Sequence, residues 1–594
     1  MKHSRLSLLI CMLAILYTGL IYYPKWEKQG TEATISWDVS GYYMYLPALF
    51  IYKDAKKCSF QHSIIQKYCP TPDFQQAFQH ASGNYVMKYS SGQAILMMPF
   101  FLTGHLFGKI SSYPADGFSY PYQLAIGLGM LVYAFIGLWY LRKILLTYFS
   151  DSVTAITIAA IVLASNYFNY AAIDGAMTHN TLFTIYCVLL YTTIRFTQQP
   201  SFLKAIAIGS LCGLAALIRP TEVITVLIAV LWGIQNFKEL KERLVANWRY
   251  YTLMAFAFCV VISIQPLYWK WATGEWIVYS YQDQGFNFLK PHLWKGIFDF
   301  RSGWLIYSPI FILVIPGFYY LYQQQKKIFP VVLLFSVLFI YICFSWDQWW
   351  YGGSLGARAM IQCYPVLAFA LAAFVQNITE KKEWVKIGFA AFSSLCMYYN
   401  FWLTHQAHKG GLYKAGEMTG AYWKAVLFKQ EANRKWDYLL DNNELYKMYP
   451  QNVTTVYTNN FETDTSALVT EIDSVNGKKL LLSKPDQYST EFKFALKKPQ
   501  QKWIRASADF TSVQKEWETW RMVQFCIRLY KNGKMVKHNY LRVHRLLNDN
   551  ETKNIFIDMK AGNIDFDEAR IYFWNPASDK PLIVDNLQVV TFDY

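Results

Sequence analysis

Gln93-Ala94-Ile95-Leu96-Met97-Met98-Pro99-Phe100-Phe101-Leu102-Thr103-Gly104-His105-Leu106-Phe107-Gly108 decides the topology of this chain. The block is apolar, but it is short, is interrupted by Pro99, and holds Gly104, His105 and Gly108. A membrane-crossing helix needs roughly 20 apolar residues. Eleven other apolar blocks lie near 6–23, 121–141, 153–173, 181–194, 203–218, 221–237, 250–268, 304–322, 329–346, 359–376 and 385–403. If Lys2 and Arg5 are cytoplasmic and 93–108 crosses, then Arg142-Lys143, the run Lys238 to Arg249, Lys326-Lys327 and Lys381-Lys382 all fall outside. If it does not cross, all of these clusters fall inside, as the preference for cytoplasmic Lys and Arg requires. The block therefore reads as an in-plane or re-entrant helix. The expected fold is a polytopic α-helical membrane protein of about eleven transmembrane helices plus this juxtamembrane helix, N-terminus inside. The first block is read as an uncleaved span, since no small-residue cleavage site follows it.

Composition agrees. The chain of 594 residues is 54% hydrophobic and 16% charged, too apolar for one soluble domain. Its +16 charge is what cytoplasmic Lys and Arg loops supply, so nucleic acid is not expected as a partner. Of ten cysteines, only Cys58 and Cys69 share a loop outside the apolar blocks. A disulfide between them is one of two open alternatives, the other being free thiols. No metal-ligand spacing appears. Residues 404–594 lack an apolar run of span length. A linking helical stretch near 415–448 leads into alternating segments such as Glu491–Leu496, Val523–Tyr530, Arg570–Trp574 and Ile583–Val589, with Lys531-Asn532-Gly533-Lys534 as a hairpin signal. These imply an extracytoplasmic β-sandwich of about eight strands. The expected domains are 1–403, 404–448 and 449–594.

The topology gathers polar groups on the outer side. Asp38, in Trp37-Asp38-Val39-Ser40-Gly41-Tyr42-Tyr43, is either a general base for an attacking hydroxyl or a cap on a helix beginning near Ser40. Lys88 is either a phosphate-binding point charge or a snorkelling lysine. Arg219, before Pro220, either lines a polar cavity or pairs with Glu222. The stretch from Trp346 through Trp349, Trp350, Gly352, Gly353, Ser354 and Gly356 to Arg358 combines rings for stacking, glycines for close approach and an arginine suited to phosphate; the alternative is an aromatic belt and turn. Its formal G-x-S-x-G match lacks the strand and helix of a nucleophile elbow. His179 is a candidate substrate contact beside Asp174. The 269–303 loop, with Trp276, Tyr279, Tyr281, Asp283, Phe286, His292, Trp294 and Arg301, reads as a lid or lipid-binding segment. Gly104/Gly108 and Gly209/Gly213 read as helix-packing sites.

Taken together, the chain resembles the GT-C superfamily of integral-membrane glycosyltransferases, which includes protein O-mannosyltransferases and aminoarabinose transferases of lipid A. The resemblance spans roughly residues 1–403. It rests on Asp38 followed by Tyr42-Tyr43, on Lys88 ahead of the Pro99 helix, on Arg219-Pro220, and on Trp349-Trp350-x-Gly352-Gly353-Ser354-x-Gly356-x-Arg358. It implies inverting transfer from a polyprenyl-phosphate-linked sugar to a hydroxyl on a glycan, lipid or protein acceptor. Asp38 would be the base. Lys88 and Arg358, with Arg219, would hold the donor phosphate, and Tyr42, His179, Trp349 and Trp350 would contact substrate. Many members carry an adjacent acidic pair where this chain has Asp38-Val39, which argues against a metal there. No cofactor is expected, and a divalent metal stays an open alternative. The rival reading is a non-enzymatic transporter, flippase or scaffold for lipid-linked glycans. The tail resembles carbohydrate-binding jelly rolls, mainly in Val584-Asp585-Asn586-Leu587-Gln588-Val589. The motifs imply a bacterial inner membrane with a periplasmic C-terminal domain.

Overall fold

The computed structural model of the protein describes residues 2–281, 284–444, 449–464, 468–473, 477–482, 488–489, 491–496 and 501–593. Asp283 and residues 445–448 of the linking stretch lie outside these. The chain divides into a unit Met1–Gly416 and a unit Glu417–Tyr594. The first is helical, and the second is built on β-sheets with two short helical segments, Gly420–Val426 and Arg434–Leu440, ahead of them.

Eleven spans were expected, and among the described residues four helices are long and apolar enough to cross a membrane: His3–Glu27, Tyr120–Tyr148, Trp248–Thr273 and Arg358–Thr379. The difference has local causes. The 153–173 block splits into helices Asp151–Leu163 and Tyr167–Ala172. The 304–322 block is interrupted by Pro309, which opens a 3₁₀ turn before the helix Val314–Gln324. The 221–237 block begins as a 3₁₀ turn after Pro220, and its helix stops at Leu231. Helices Phe202–Ile218 and Phe329–Phe344 are apolar but shorter, at 17 and 16 residues. The helix Thr178–Gln198 carries Thr, Asn and Tyr through its length and loses apolarity to them.

The 93–108 block lies in one helix, Gly92–Ile110, with Pro99 inside it. It is not among the four candidate spans. A Cβ on Gly104 would stand 3.0 Å from the Pro121 carbonyl oxygen, so this helix packs closely on the start of Tyr120–Tyr148. Gly209 and Gly213 do the same for Phe202–Ile218: an added Cβ would meet the Met254 and Phe258 carbonyl oxygens at 2.1 and 2.9 Å. These small residues let backbones approach, as their spacing predicts. Between the first two long helices, residues 25–91 fold into short helical turns and a hairpin, β1 (Ala77–Gln79) with β2 (Tyr85–Met87). Cys58 and Cys69 are both free thiols, Cys58 buried and Cys69 exposed.

The second unit is a two-sheet β structure. Its strands are β3 (Gln451–Asn459), β4 (Val469–Asp473), β5 (Gly477–Leu482), β6 (Phe492–Ala495), β7 (Trp503–Ser512), β8 (Gln524–Lys531), β9 (Lys534–Arg542), β10 (Glu551–Lys560), β11 (Glu568–Trp574) and β12 (Leu582–Asp593). One sheet runs β10-β7-β12-β5-β4, with β3 also paired to β12; the other runs β6-β11-β8-β9. The described residues thus hold ten strands here, where about eight were expected. Alternate residues face inward: Ile504, Ala506, Ala508 and Phe510 from one sheet meet Phe525, Ile527, Ile571 and Phe573 from the other. Asn532 (φ 49°) and Gly533 (φ 74°) make the tight β8–β9 turn that an Asn-Gly pair predicts. The closing Val584–Val589 segment lies within β12, with a register shift between Asp585 and Gln588 where Asn586 takes φ 51°.

Candidate active site

The loop 25–91 delivers Asp38. It stands in the first turn of the short helix Trp37–Tyr43, and Trp37 N–H donates to the Pro70 carbonyl at 3.0 Å. Gln76 joins this helix to the next part of the site: its side-chain NH₂ donates to Ser40 Oγ at 2.8 Å, and its carbonyl accepts from the Lys88 N–H at 3.0 Å. Position 41 must be glycine. A Cβ there would lie 2.5 Å from the Tyr89 ring, so only glycine lets that ring reach Asp38.

Arg358 arrives from the other end of the sequence. It ends a segment pinned on several sides. Leu355 N–H donates to Tyr170 OH at 3.0 Å, Gly356 N–H donates to Tyr413 OH at 3.1 Å, and Asn166 Nδ2 donates to the Leu355 carbonyl at 3.1 Å. Two non-glycine residues at the site hold the left-handed region, Trp37 (φ 47°) beside Asp38 and Tyr351 (φ 55°) before Gly352. Such conformations cost about 1–3 kcal/mol each and persist where surrounding structure enforces them.

Asp38 and Arg358 meet in an ion pair, Nη2 to Oδ2 at 2.6 Å, with 28% and 15% of their side chains exposed. The other carboxylate oxygen accepts from Tyr89 OH at 2.7 Å. Asp38 therefore does not cap its helix. Burial pushes its carboxyl upward, but the Arg358 guanidinium, the Tyr89 hydrogen bond and Lys88 together hold it below the usual carboxylate range. Burial and the Asp38 charge push the Tyr89 phenol far above its ordinary value, which keeps it a donor.

Asp38, Lys88, Arg219 and Arg358 line one cavity of about 380 Å³, with Tyr42 and His179. Lys88 has no carboxylate within 4 Å among the described residues; its ammonium sits 5.6 Å from the Tyr89 ring centre. Arg219 is not paired with Glu222. Its guanidinium lies 5.5 Å from the Tyr351 ring centre, and Nη1 is 3.4 Å from His179 Nδ1. Glu222 instead accepts from the Tyr186 hydroxyl and, at 3.2 Å, from Gln362 Nε2. The Gln362 side-chain oxygen Oε1 stands 3.0 Å from His179 Nδ1. Three cations thus face a space that two acids, Asp38 and Glu222, also line, and of the two Asp38 is salt-bridged to a cation.

Trp349 and Trp350 do not line this cavity. Trp349 is buried elsewhere, and Trp350 stacks under the Arg301 guanidinium at 3.6 Å. Their neighbours Trp346, Gln348 and Tyr351 line it in their place. Tyr279, Tyr281 and Phe286 of the 269–303 loop add an aromatic wall, with Phe286 and Trp346 ring centres 4.8 Å apart. Asp174 points away into an ion pair with Lys25, which holds its carboxyl well below the usual range against the opposing effect of burial. Tyr89 and Gln362 carry no distinguishing signal in the sequence; adjacency to Lys88 and the glycine at 41 are the available hints for Tyr89. Among the described residues no three His, Cys, Asp or Glu side chains are placed to hold a metal ion. The set is suited to gripping an anionic group beside a carboxylate that can take a proton. Comparison with family models and with curated proteins finds no match to the chain.

Proposed function

We propose that the protein is a polytopic membrane glycosyltransferase of the GT-C kind. It moves a sugar from a polyprenyl-phosphate donor to an acceptor hydroxyl with inversion at the anomeric carbon. The observation that carries this reading is the sharing of one cavity by Asp38, Lys88, Arg219 and Arg358. The four candidate spans support it, since a chain with such helices is suited to meeting a lipid-borne substrate. On this reading the shorter apolar helices also cross. The site then opens on the extracytoplasmic face of a bacterial inner membrane, with the C-terminal unit periplasmic.

The chemistry balances without a protein-bound intermediate. The acceptor oxygen attacks the anomeric carbon, the bond from that carbon to the phosphate oxygen breaks, and the phosphate leaves with the electron pair. Asp38 takes the acceptor's proton. Lys88, Arg219 and Arg358 meet the charge that grows on the leaving phosphate. Donor binding also prepares the base. Arg358 alone among these three cations is engaged by a carboxylate of the described residues, and a phosphate that draws on its N–H donors weakens its hold on Asp38. The carboxylate then gains proton affinity when the donor is in place.

The test is the full chain in nanodiscs with a panel of prenyl-phosphate sugars and mass-spectrometric detection of products. Transfer by the native protein and its loss in Asp38→Asn, with the variant inserted and folded, is the expected result. Turnover by Asp38→Asn at the native rate would overturn the assigned base.

A further inference from the structure

A second polar cavity, of about 510 Å³, lies far from the first. It is lined by Tyr148, Trp232, Arg243, Gln323, Lys326 and Lys327, among others, and no Asp or Glu of the described residues lines it. Tyr148 closes the 29-residue helix Tyr120–Tyr148, one of the four candidate spans. The other end of that helix is tied to the segment that carries Asp38: Gln123 Oε1 accepts from the Ile35 N–H at 2.7 Å, three residues before Asp38. At 1.5 Å per residue, Gln123 and Tyr148 are about 40 Å apart. The second cavity therefore lies at the end of this apolar helix opposite to the one tied to the Asp38 segment.

The second cavity is rich in donors and poor in acceptors. Arg243 is anchored by Nη1 to the Trp232 carbonyl at 2.6 Å, with further N–H groups to spare for a ligand. Lys326 and Lys327 are exposed, and none of the three cations has a carboxylate within 4 Å among the described residues. Tyr148 OH accepts from the Trp232 indole N–H at 3.0 Å, so its own hydrogen is not used in that bond. Three like charges around one space repel one another unless an anion joins them.

We infer that this cavity binds a phosphate group, and that the source is the headgroup of an anionic lipid. The position at the end of a candidate span is where headgroups lie, and Lys and Arg near an anionic leaflet are drawn to it. A soluble phosphate would use the same donors, so the experiment separates the two.

The full chain is reconstituted in nanodiscs of phosphatidylcholine with or without phosphatidylglycerol, and retained lipid is read by native mass spectrometry. Lys326→Gln/Lys327→Gln is compared with Lys381→Gln/Lys382→Gln, which removes the same charge elsewhere. The native chain is expected to retain phosphatidylglycerol over phosphatidylcholine. Retention should fall about thirty-fold in the 326/327 variant and stay unchanged in the 381/382 variant. Displacement of the lipid by millimolar inorganic phosphate, with a matching rise in melting temperature in detergent, would overturn the lipid as source in favour of a soluble phosphate. Equal retention of both lipids, or equal losses in both variants, would overturn the site.

Discussion

The two units bury arginine in opposite ways. In the β unit, Arg505 on β7 faces Asp558 on β10 directly across the ladder and grips it with two bonds, Nε–Oδ1 at 2.7 Å and Nη2–Oδ2 at 3.0 Å. Arg545 is shared between Asp441 and Glu417, and Arg542 also reaches Asp441. Each of these cations has a carboxylate, and the Arg542 and Arg545 pairs fasten the 417–444 segment to the sandwich. In the helical unit, Lys88, Arg219 and Arg358 face one cavity, and among the described residues Asp38 is the only acid they pair with. A matched pair holds a fold together, whereas an unmatched excess of positive charge attracts an anionic ligand. Substitutions should therefore separate cleanly: β-unit pairs should change stability, and cavity charges should change turnover.

The largest expected effect is at Asp38. Replacing it with Asn removes the proposed base and should lower transfer by about a thousandfold, within the range typical of general-base loss. The melting temperature should fall less than in the β-unit variant below, by the share the Arg358 ion pair contributes, because the Asp38 side chain is 28% exposed and Tyr89 can still donate to the amide oxygen. Next is Asp558→Ala. It leaves Arg505 facing no carboxylate across β10 and should destabilise the β unit by about 3 kcal/mol, read as a fall in its melting temperature. A large melting shift from Asp38→Asn, or none from Asp558→Ala, would erase the contrast. Arg219→Gln sharpens it from within the cavity. Arg219 has no carboxylate within 4 Å among the described residues, and although Glu222 of the same cavity acts on it electrostatically, its guanidinium has no ion pair to break before it meets an anion. Its loss should reduce kcat/KM for a prenyl-phosphate donor by about 2 kcal/mol, roughly thirty-fold, with no loss of stability.

The contrast also marks what can be read from sequence. Asp38, Lys88, Arg219 and Arg358 are separated by up to 320 residues; charge placement along the apolar blocks leads one to expect them on one side, and in the structure they line one cavity. Alternation and the Asn532-Gly533 turn announce the sandwich. Hydropathy cannot see that Pro309 and Pro220 break their blocks, because apolarity averaged over a window is blind to a missing N–H. Nor can it rank rings within Trp346–Tyr351. All share one composition, and which of them face the cavity follows from the left-handed turn at Tyr351 and Gly352, whereas Trp350 is claimed by Arg301 from a distant segment. The partners of Glu222 escape the sequence for a related reason: Arg219 is three residues away along the chain, but Tyr186 and Gln362 are nearer in space.

The smallest effect tests the finest part of the arrangement. Tyr89 is not one of the cations proposed to meet a phosphate; it holds one oxygen of Asp38 while Arg358 holds the other. Tyr89→Phe keeps the ring that Gly41 and Tyr42 pack against and deletes only the hydroxyl. The hydrogen bond favours the ionised carboxylate, so its loss raises the Asp38 pKa. The proposed transfer needs that carboxylate ionised. The native pH profile of kcat/KM, which reports the free enzyme, should therefore stay flat through the ordinary carboxylate range and fall only below it, and the acid limb of Tyr89→Phe should move toward higher pH. At neutral pH the variant should lose tenfold or less, about 1 kcal/mol. The stability linkage has the same sign. A carboxyl held below its unfolded value stabilises the fold above about pH 4, and the contribution fades as pH drops through the folded value. Tyr89→Phe should shrink that acid-sensitive component in melting curves taken from about pH 5 downward. An unmoved acid limb would mean that Arg358 alone sets the base, and the Tyr89 hydroxyl would then be a packing group.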